Sequence, residues 1–346
     1  MDSQFPPEII QLIVEASLNP YDPFTSTCVV SRQRYSILKK YSLLNSTWRG
    51  VSDPLLYEWV ALGLVESVEK LCEVASGRGG CIVGVKSLRV SFGSVDSDRL
   101  ASILRCAPLL VNLDIMGDGL DIDDLVPLQH LRRVSFYDTE IVDSAPLSSP
   151  HLPSLRYMTL FESVVFPSAS QFLTTSFLPH LRHLELIEME TPTDIARMLP
   201  QLEALAFMPA ERYTTDGDAY EALCPSQSLL LLDTPFDSEV RHLLLSRIAS
   251  FPPFLFLNSE WGDAYNFTRE LLDLVEEIRE TKEEGPRVIL LSTQGGTVRE
   301  ELLQLAPRLK EWGIRVERED SMDFARAIIK MEKILEEEKR AEAERR

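Results

Sequence analysis

The feature that most constrains this chain is a six-residue block that returns along it. An apolar residue, two others, an apolar residue, one other and a third apolar residue make up VKSLRV at 85–90, LVNLDI at 110–115 and LRRVSF at 131–136. The same pattern gives LRYMTL at 155–160, LRHLEL at 181–186 and LEALAF at 202–207. Successive blocks start 25, 21, 24, 26 and 21 residues apart, and weaker copies follow at 228–233 and 254–258. A block this short, repeated at that interval, cannot bury its apolar face alone. It predicts one short strand per block, stacked in parallel with its neighbours. The segments 100–110, 170–181 and 193–202 carry helical spacing and then a Pro just before the next block. Such a segment suits a helix that returns the chain to a parallel strand.

The period and the block resemble those of leucine-rich repeats. The place where such repeats often carry Asn or Cys holds Asp118, Thr139, Ser163, Met189 and Ala210 here. The usual asparagine ladder is therefore missing, and the repeats are irregular. Alternation along each strand makes the column after the last apolar residue a distinct lane: Ser91, Met116, Tyr137, Phe161, Ile187 and Met208. Large apolar residues on a solvent-facing column call for a partner. The alternative is that the C-terminal segment folds back over them.

Ahead of the repeats, Pro6 and Pro7 stand where a helix can begin, and Glu8 falls in its first turn. Ile9, Ile10, Leu12, Ile13 and Ala16 continue the helical spacing. NPYDPF at 19–24 breaks the chain. A second helix is predicted over 36–48, with Ile37, Leu38, Leu43, Leu44 and Trp48 as its apolar residues. Pro54, preceded by Ser52 and Asp53, reads as the start of a third helix or aromatic turn reaching Trp59 and Val60. Beyond 260 the pattern changes to helix at 266–285, strand at 287–292, helix at 295–313, a short strand in IRVERE and a long charged helix over 321–346. These continue or cap the stack.

FPPEIIQLI at 5–13 and YSLLNSTWRGVSDPLLYEWV at 41–60 together resemble the F-box, the helical module that docks on Skp1 in cullin-RING ubiquitin ligases. The residues that carry the likeness are Phe5, Pro6, Pro7, Glu8, Ile9, Ile10, Leu12 and Ile13, and then Leu43, Leu44 and Trp48 with the Pro-Leu-Leu-aromatic turn behind them. Phe5 stands where the family usually has Leu. The arrangement is especially like fungal F-box proteins. The resemblance implies an α/β chain in three parts: an F-box-like helical module at 1–65, an irregular leucine-rich-repeat solenoid with parallel strands and outer helices at 66–260, and a β/α continuation or cap at 261–346. It also implies a substrate adaptor of an SCF-type ligase. The residues named would meet a Skp1-like protein, and Met116, Tyr137, Phe161, Ile187 and Met208 would meet an unknown target protein. The alternative is a repeat scaffold with no ubiquitin role, its N-terminal helices sealing the first repeat.

The residues offer little to an enzyme. His180 and His183 are close enough to share a metal but lack further ligands nearby. MGDGLDIDD at 116–124 lacks the spacing of a calcium loop and reads as a solvated turn. STQGGT at 292–297 has neither a Gly-Lys-Ser/Thr nor a G-x-G-x-x-G pattern, and GRGG at 77–80 reads as a link. A third function class, an enzyme with a β/α site around 287–300, rests on that turn alone. No catalytic residue, metal or cofactor is assigned. The formal net charge of −19 argues against nucleic acid and against anionic membranes as main partners. Five scattered cysteines, with no Cys-x-x-Cys pair, predict reduced thiols. With no basic-then-apolar leader, the expected location is cytoplasmic or nuclear, not secreted.

Overall fold

A computed structural model of the chain describes residues 5–18, 27–63, 71, 84–91, 97–117, 119–142, 152–166, 173–187, 199–208, 229–232, 254–257, 264–281, 286–292, 306–319 and 324–345. It is a mixed α/β structure with parallel sheets, divided into two compact units: Met1–Ser168 with Ser176–His180, and Ala169–Thr175 with Leu181–Arg346.

Unit 1 opens with three helices: α1 (Pro7–Ser17), α2 (Thr27–Ser42) and α3 (Ser46–Leu56). A parallel sheet follows, made of β1 (Trp59–Leu62), β2 (Ser87–Ser91), β3 (Asn112–Met116), β5 (Arg133–Tyr137) and β7 (Tyr157–Phe161), in that order. Between β2 and β3 runs α4 (Ser97–Cys106). A second parallel sheet of three short strands holds β4 (Leu120–Asp121), β6 (Glu140–Val142) and β8 (Val164–Phe166). Unit 2 has six parallel strands in chain order: β9 (His183–Ile187), β10 (Ala204–Met208), β11 (Leu229–Leu232), β12 (Phe254–Leu257), β13 (Val288–Ser292) and β14 (Arg315–Glu319). Its helices include α5 (Ala264–Thr281) and α6 (Phe324–Arg345).

Every predicted block is thus a parallel strand, entered two residues late. The first apolar residue of each full block, Val85, Leu110, Leu131, Leu155, Leu181 and Leu202, lies just before its strand and is buried. The same entry recurs at five of the six blocks. Two successive amides of one repeat donate to a single carbonyl of the repeat before it. Lys86 and Ser87 use Glu58, Val111 and Asn112 use Lys86, and Arg132 and Arg133 use Val111. In unit 2, Glu203 and Ala204 both use Arg182.

Left-handed turns follow β3, β5 and β7 at Gly117 (φ 84°), Asp138 (φ 49°) and Glu162 (φ 46°). The next position does the work expected of an asparagine ladder. Thr139 and Ser163 are buried, and the Thr139 amide donates to Ser163 Oγ at 3.3 Å. Each hydroxyl donates to the carbonyl two residues back, on Tyr137 and Phe161, at 2.9 Å. One hydroxyl, that of Ser163, thus links two neighbouring repeats. Asp118, Met189 and Ala210 lie outside the described residues, although Gly119 begins the lead into β4.

Several expectations need correction. The break between the second and third helices comes at Leu43–Asn45, not after Trp48, because Asn45 caps α3 by accepting from the Thr47 and Trp48 amides at 3.0 and 3.1 Å. Pro54 does not begin a helix; it lies inside α3, two residues from its end. Trp59 and Val60 belong to a strand. Residues 173–177 form bends and turns instead of the helix predicted there. The described part of the predicted 295–313 helix covers 306–311 and ends at Gly313, whose φ of 77° suits a left-handed helix end. Residues 19–24, 77–80, 193–198 and 293–297 lie outside the described residues, as do Cys72, Cys81, Cys224, His151, His242 and the side chain of Cys28. Cys106 is a free, half-buried thiol. Among the described residues no helix is long and apolar enough to cross a membrane.

The strand positions that alternate with the core columns do not all face solvent: Met116 is exposed and Arg89, Tyr137, Phe161 and Glu185 are half-buried, but others are closed off. Ser87, Asn112, Asp114, Ser135 and Thr159 in unit 1, and His183 in unit 2, are buried. Ser135 Oγ has no hydrogen-bond partner among the described residues. A buried hydroxyl without a partner costs about 1–3 kcal/mol. Ser135→Ala is therefore expected to stabilise the protein by about 1 kcal/mol, read as a higher urea midpoint at unchanged slope.

Candidate functional site

The three N-terminal helices close around a core of their own. Ile10, Val14, Leu18, Leu38 and Trp48 are buried together, with Ile37, Tyr41, Val51, Leu55 and Leu56 packed against them. Pro6 caps α1 and Pro7 opens it, where no helical amide bond is lost. Glu8 lies in the first turn, where its carboxylate suits the helix dipole. Trp48 is 8% exposed, and its ring stacks on Tyr41 with centroids 5.2 Å apart and 18° between planes. Trp48 therefore seals the helical module, not the first repeat. Asn45 fixes the start of the helix that carries it. Asn45→Ala is expected to cost about 1 kcal/mol, seen as a lower melting temperature of the module.

A helix that buries one stripe against a core normally shows water a polar one. Here α1 does otherwise. Ile10 and Val14 face inward, yet Ile9, Leu12 and Ile13 are exposed, and Phe5 ahead of them is 52% exposed. Leu12 reaches 61%. The turn between α2 and α3 exposes Leu43 at 70% and Leu44 at 60%. Pro6, Pro7 and Glu8 are also exposed. The residues picked from sequence thus fall into two sets. Ile10 and Trp48 build the module, and the other nine are presented to solvent. Fully burying one such side chain contributes about 1.5–3 kcal/mol.

The second candidate surface is the lane. In unit 1, Met116, Tyr137 and Phe161 stand in register on neighbouring strands. Met116 is exposed and the two rings are half-buried, 6.0 Å apart between centroids. In unit 2, Ile187 is half-buried and pairs in register with Met208, whose side chain lies outside the described residues. The buried face of unit 2 has a visible cover. Arg315 and Glu317 lie in register with Val288 and Leu290, and both bond α6. Glu317 meets Lys330 at 3.0 Å and Arg315 meets Glu337 at 3.3 Å. Phe324, Ala327, Ile328, Met331 and Ile334 form the buried stripe of α6. The C-terminal helix is thus tied to the sheet of unit 2 through β14, and Ile187 keeps part of its surface.

The remaining candidates bring no chemistry together. Asp121 caps a short 3₁₀ turn at Ile122–Leu125, and Asp124 pairs with Arg105 at 3.1 Å. Burial pushes the Asp124 carboxyl up, against the pull of Arg105. His183 is buried and lies 3.9 Å from Glu203, whereas His180 is exposed. No group of three or more His, Cys, Asp or Glu among the described residues could hold a metal ion.

One feature escaped the sequence reading. Glu58 binds Arg34 of α2 at 2.8 Å and Lys86 at 2.7 Å, and the Arg34 guanidinium lies 5.9 Å from the Trp59 ring centre. Burial pulls Arg34 below its ordinary value while Glu58 pushes it back up. The signal in sequence was a lone acid between two aromatic residues, Tyr57 and Trp59, which periodicity does not flag.

No protein-family model matches the chain, and no curated protein matches it. A solved structure titled as a crystal structure of a TLR13-ssRNA13 complex is similar over 61% of this chain, with 14% identity and a TM-score of 0.31. The matched region spans 29% of that chain's length.

Proposed function

We propose that this protein is a substrate-recognition adaptor of an SCF-type ubiquitin ligase. Its N-terminal helices dock a Skp1-like protein, and its leucine-rich-repeat-like strands hold a target protein. The protein does no bond chemistry in this reading; it brings a target close to a charged ubiquitin-conjugating enzyme. The observation that carries the reading is the outward apolar set Phe5, Ile9, Leu12, Ile13, Leu43 and Leu44 on a module that already has a complete core. A cap whose task was to seal the first repeat would bury those side chains there. Exposed apolar residues of this size mark an interaction surface.

The test is binding of the full chain to purified Skp1. Leu12→Asp with Leu43→Asp is expected to weaken it by about 2–4 kcal/mol, roughly 30- to 1000-fold. Both side chains are exposed, so the melting temperature stays near wild type. If the unaltered full chain does not bind Skp1, the adaptor reading is lost and the scaffold reading takes its place. The target surface is tested separately. Phe161→Asp and Ile187→Asp are expected to remove proteins that co-purify with the chain while Skp1 remains bound. Unchanged recovery of every such protein would exclude the lane.

A further inference from the structure

In a chain of formal net charge −19, the stretch from Thr27 to Ser52 holds five basic residues and no acidic one. Arg34 is committed to Glu58 and Trp59. The other four, Arg32, Lys39, Lys40 and Arg49, are exposed, and none is in an ion pair among the described residues. Arg32, Ser36, Lys39 and Leu43 follow one another at helical steps of four, three and four, and Tyr35 lies four before Lys39, which puts the five along one side of α2 and its end. All five are exposed. The opposite side carries Ile37, Leu38 and Tyr41 into the module core. Lys39 lies 5.6 Å from the Tyr35 ring centre, so the aromatic side chain holds a cation on the outer face. Arg49 donates from Nε to the Ser42 carbonyl at 3.2 Å, which ties its guanidinium to the turn bearing Leu43 and Leu44.

Lys39 and Lys40 fall in the last turn of α2, where cations suit the helix dipole. That accounts for those two alone. It leaves Arg32, Arg49, exposed Tyr35 and the missing carboxylates unexplained. A phosphate backbone would use the four cations but has nothing to offer Leu43, Leu44 and Tyr35. Cations interleaved with large apolar side chains fit carboxylates interleaved with apolar side chains.

We infer that the outer side of α2 and the turn after it form a docking strip for an acidic protein segment that also carries apolar residues. Its carboxylates meet Arg32, Lys39, Lys40 and Arg49, and its apolar side chains cover Tyr35, Leu43 and Leu44. The inference rests on the adaptor reading for the identity of the docking element and adds the chemistry of the partner.

The experiment uses the full chain with four probes: a labelled amphipathic peptide of Glu and Leu, its counterpart of Lys and Leu, phosphatidylserine vesicles, and purified Skp1. The Glu peptide is expected to bind, to weaken as salt rises, and to lose at least about tenfold in affinity with Arg32→Glu, Lys39→Glu and Lys40→Glu combined. Leu43→Ala with Leu44→Ala is a second variant, expected to weaken the Glu peptide without changing its salt dependence. Equal binding of the Lys peptide, or vesicle binding in place of the Glu peptide, overturns the inference. If Skp1 binds both wild type and the charge-reversed variant equally, and the Glu peptide is ignored, the strip falls and the adaptor stands. If Skp1 is ignored while the Glu peptide binds in a charge-dependent way, the adaptor falls and the strip stands.

Discussion

Trp48→Ala is expected to unfold the N-terminal helices, at a cost of about 3–5 kcal/mol. The ring is the buried group that α3 brings to that core, beside half-buried Val51, Leu55 and Leu56, and it stands among Ile10 and Val14 of α1 and Leu38 of α2. Its loss also removes the stack on Tyr41. A module of about fifty residues buries a smaller fraction of its surface than a larger domain does and is correspondingly marginal. It has little reserve against a cavity of that size. Hydrogen exchange checks this directly: protection of the α1 and α3 amides should fall to the level of exposed loops. If protection in α1 persists, Trp48 is not the seal. The same variant should lose Skp1 binding through unfolding, which separates it from Leu12→Asp, where binding is lost and the fold is kept.

Ile328→Asp is expected to be the most damaging change in unit 2. Ile328 is 1% exposed, beside Ala327 and Met331 in the buried stripe of α6. Among the described residues the ion pairs of α6 with Arg287, Arg315 and Glu317 come from its polar side at Glu338, Glu337 and Lys330, away from a carboxylate placed there. Burying a charge without a partner costs several kcal/mol or forces the helix off the sheet. Either way the bonds from α6 to Arg315 and Glu317 of β14 are put at risk. The expected result is exchange of the β13 and β14 amides faster by two or more orders of magnitude, from about 3 kcal/mol or more of lost protection. Lys330→Met tests the polar side of the same contact and should cost less than about 1 kcal/mol, because Lys330 and Glu317 are both partly exposed.

The strands were legible because their signal is local and repeated. A block of three apolar residues at fixed steps says the same thing six times over. The bond from the Thr139 amide to the Ser163 hydroxyl was not, because its two partners lie a repeat apart in sequence. The second sheet was missed for a related reason. Its strands are two or three residues long, too short to show alternation. The helix boundaries went wrong at Asn45, where a continuous run of helix-compatible residues hides a cap, and at Pro54, where a proline expected to begin a helix is carried two residues before the end of one. At the N-terminal surface, apolar spacing alone could not say which residues go inward. Ile9 and Ile10 are neighbours in sequence and opposites in burial. The basic run on α2 was visible in the sequence but diluted by the acidity of the whole chain.

The helix α2 belongs to two things at once. It packs with α3 in the helical module, and through Arg34 it is pinned to Glu58 and Trp59 at the head of the first sheet. Nothing hinge-like intervenes between the surface offered by α2 and the first strand. Whatever sits on that helix is held at a set angle to the strands of unit 1, like a bracket bolted to the first rung of a ladder. Each further strand of that sheet in unit 1 lies about 4.8 Å beyond the last. The number of strands, not the slack of a tether, therefore sets how far a surface on unit 1 stands from that helix.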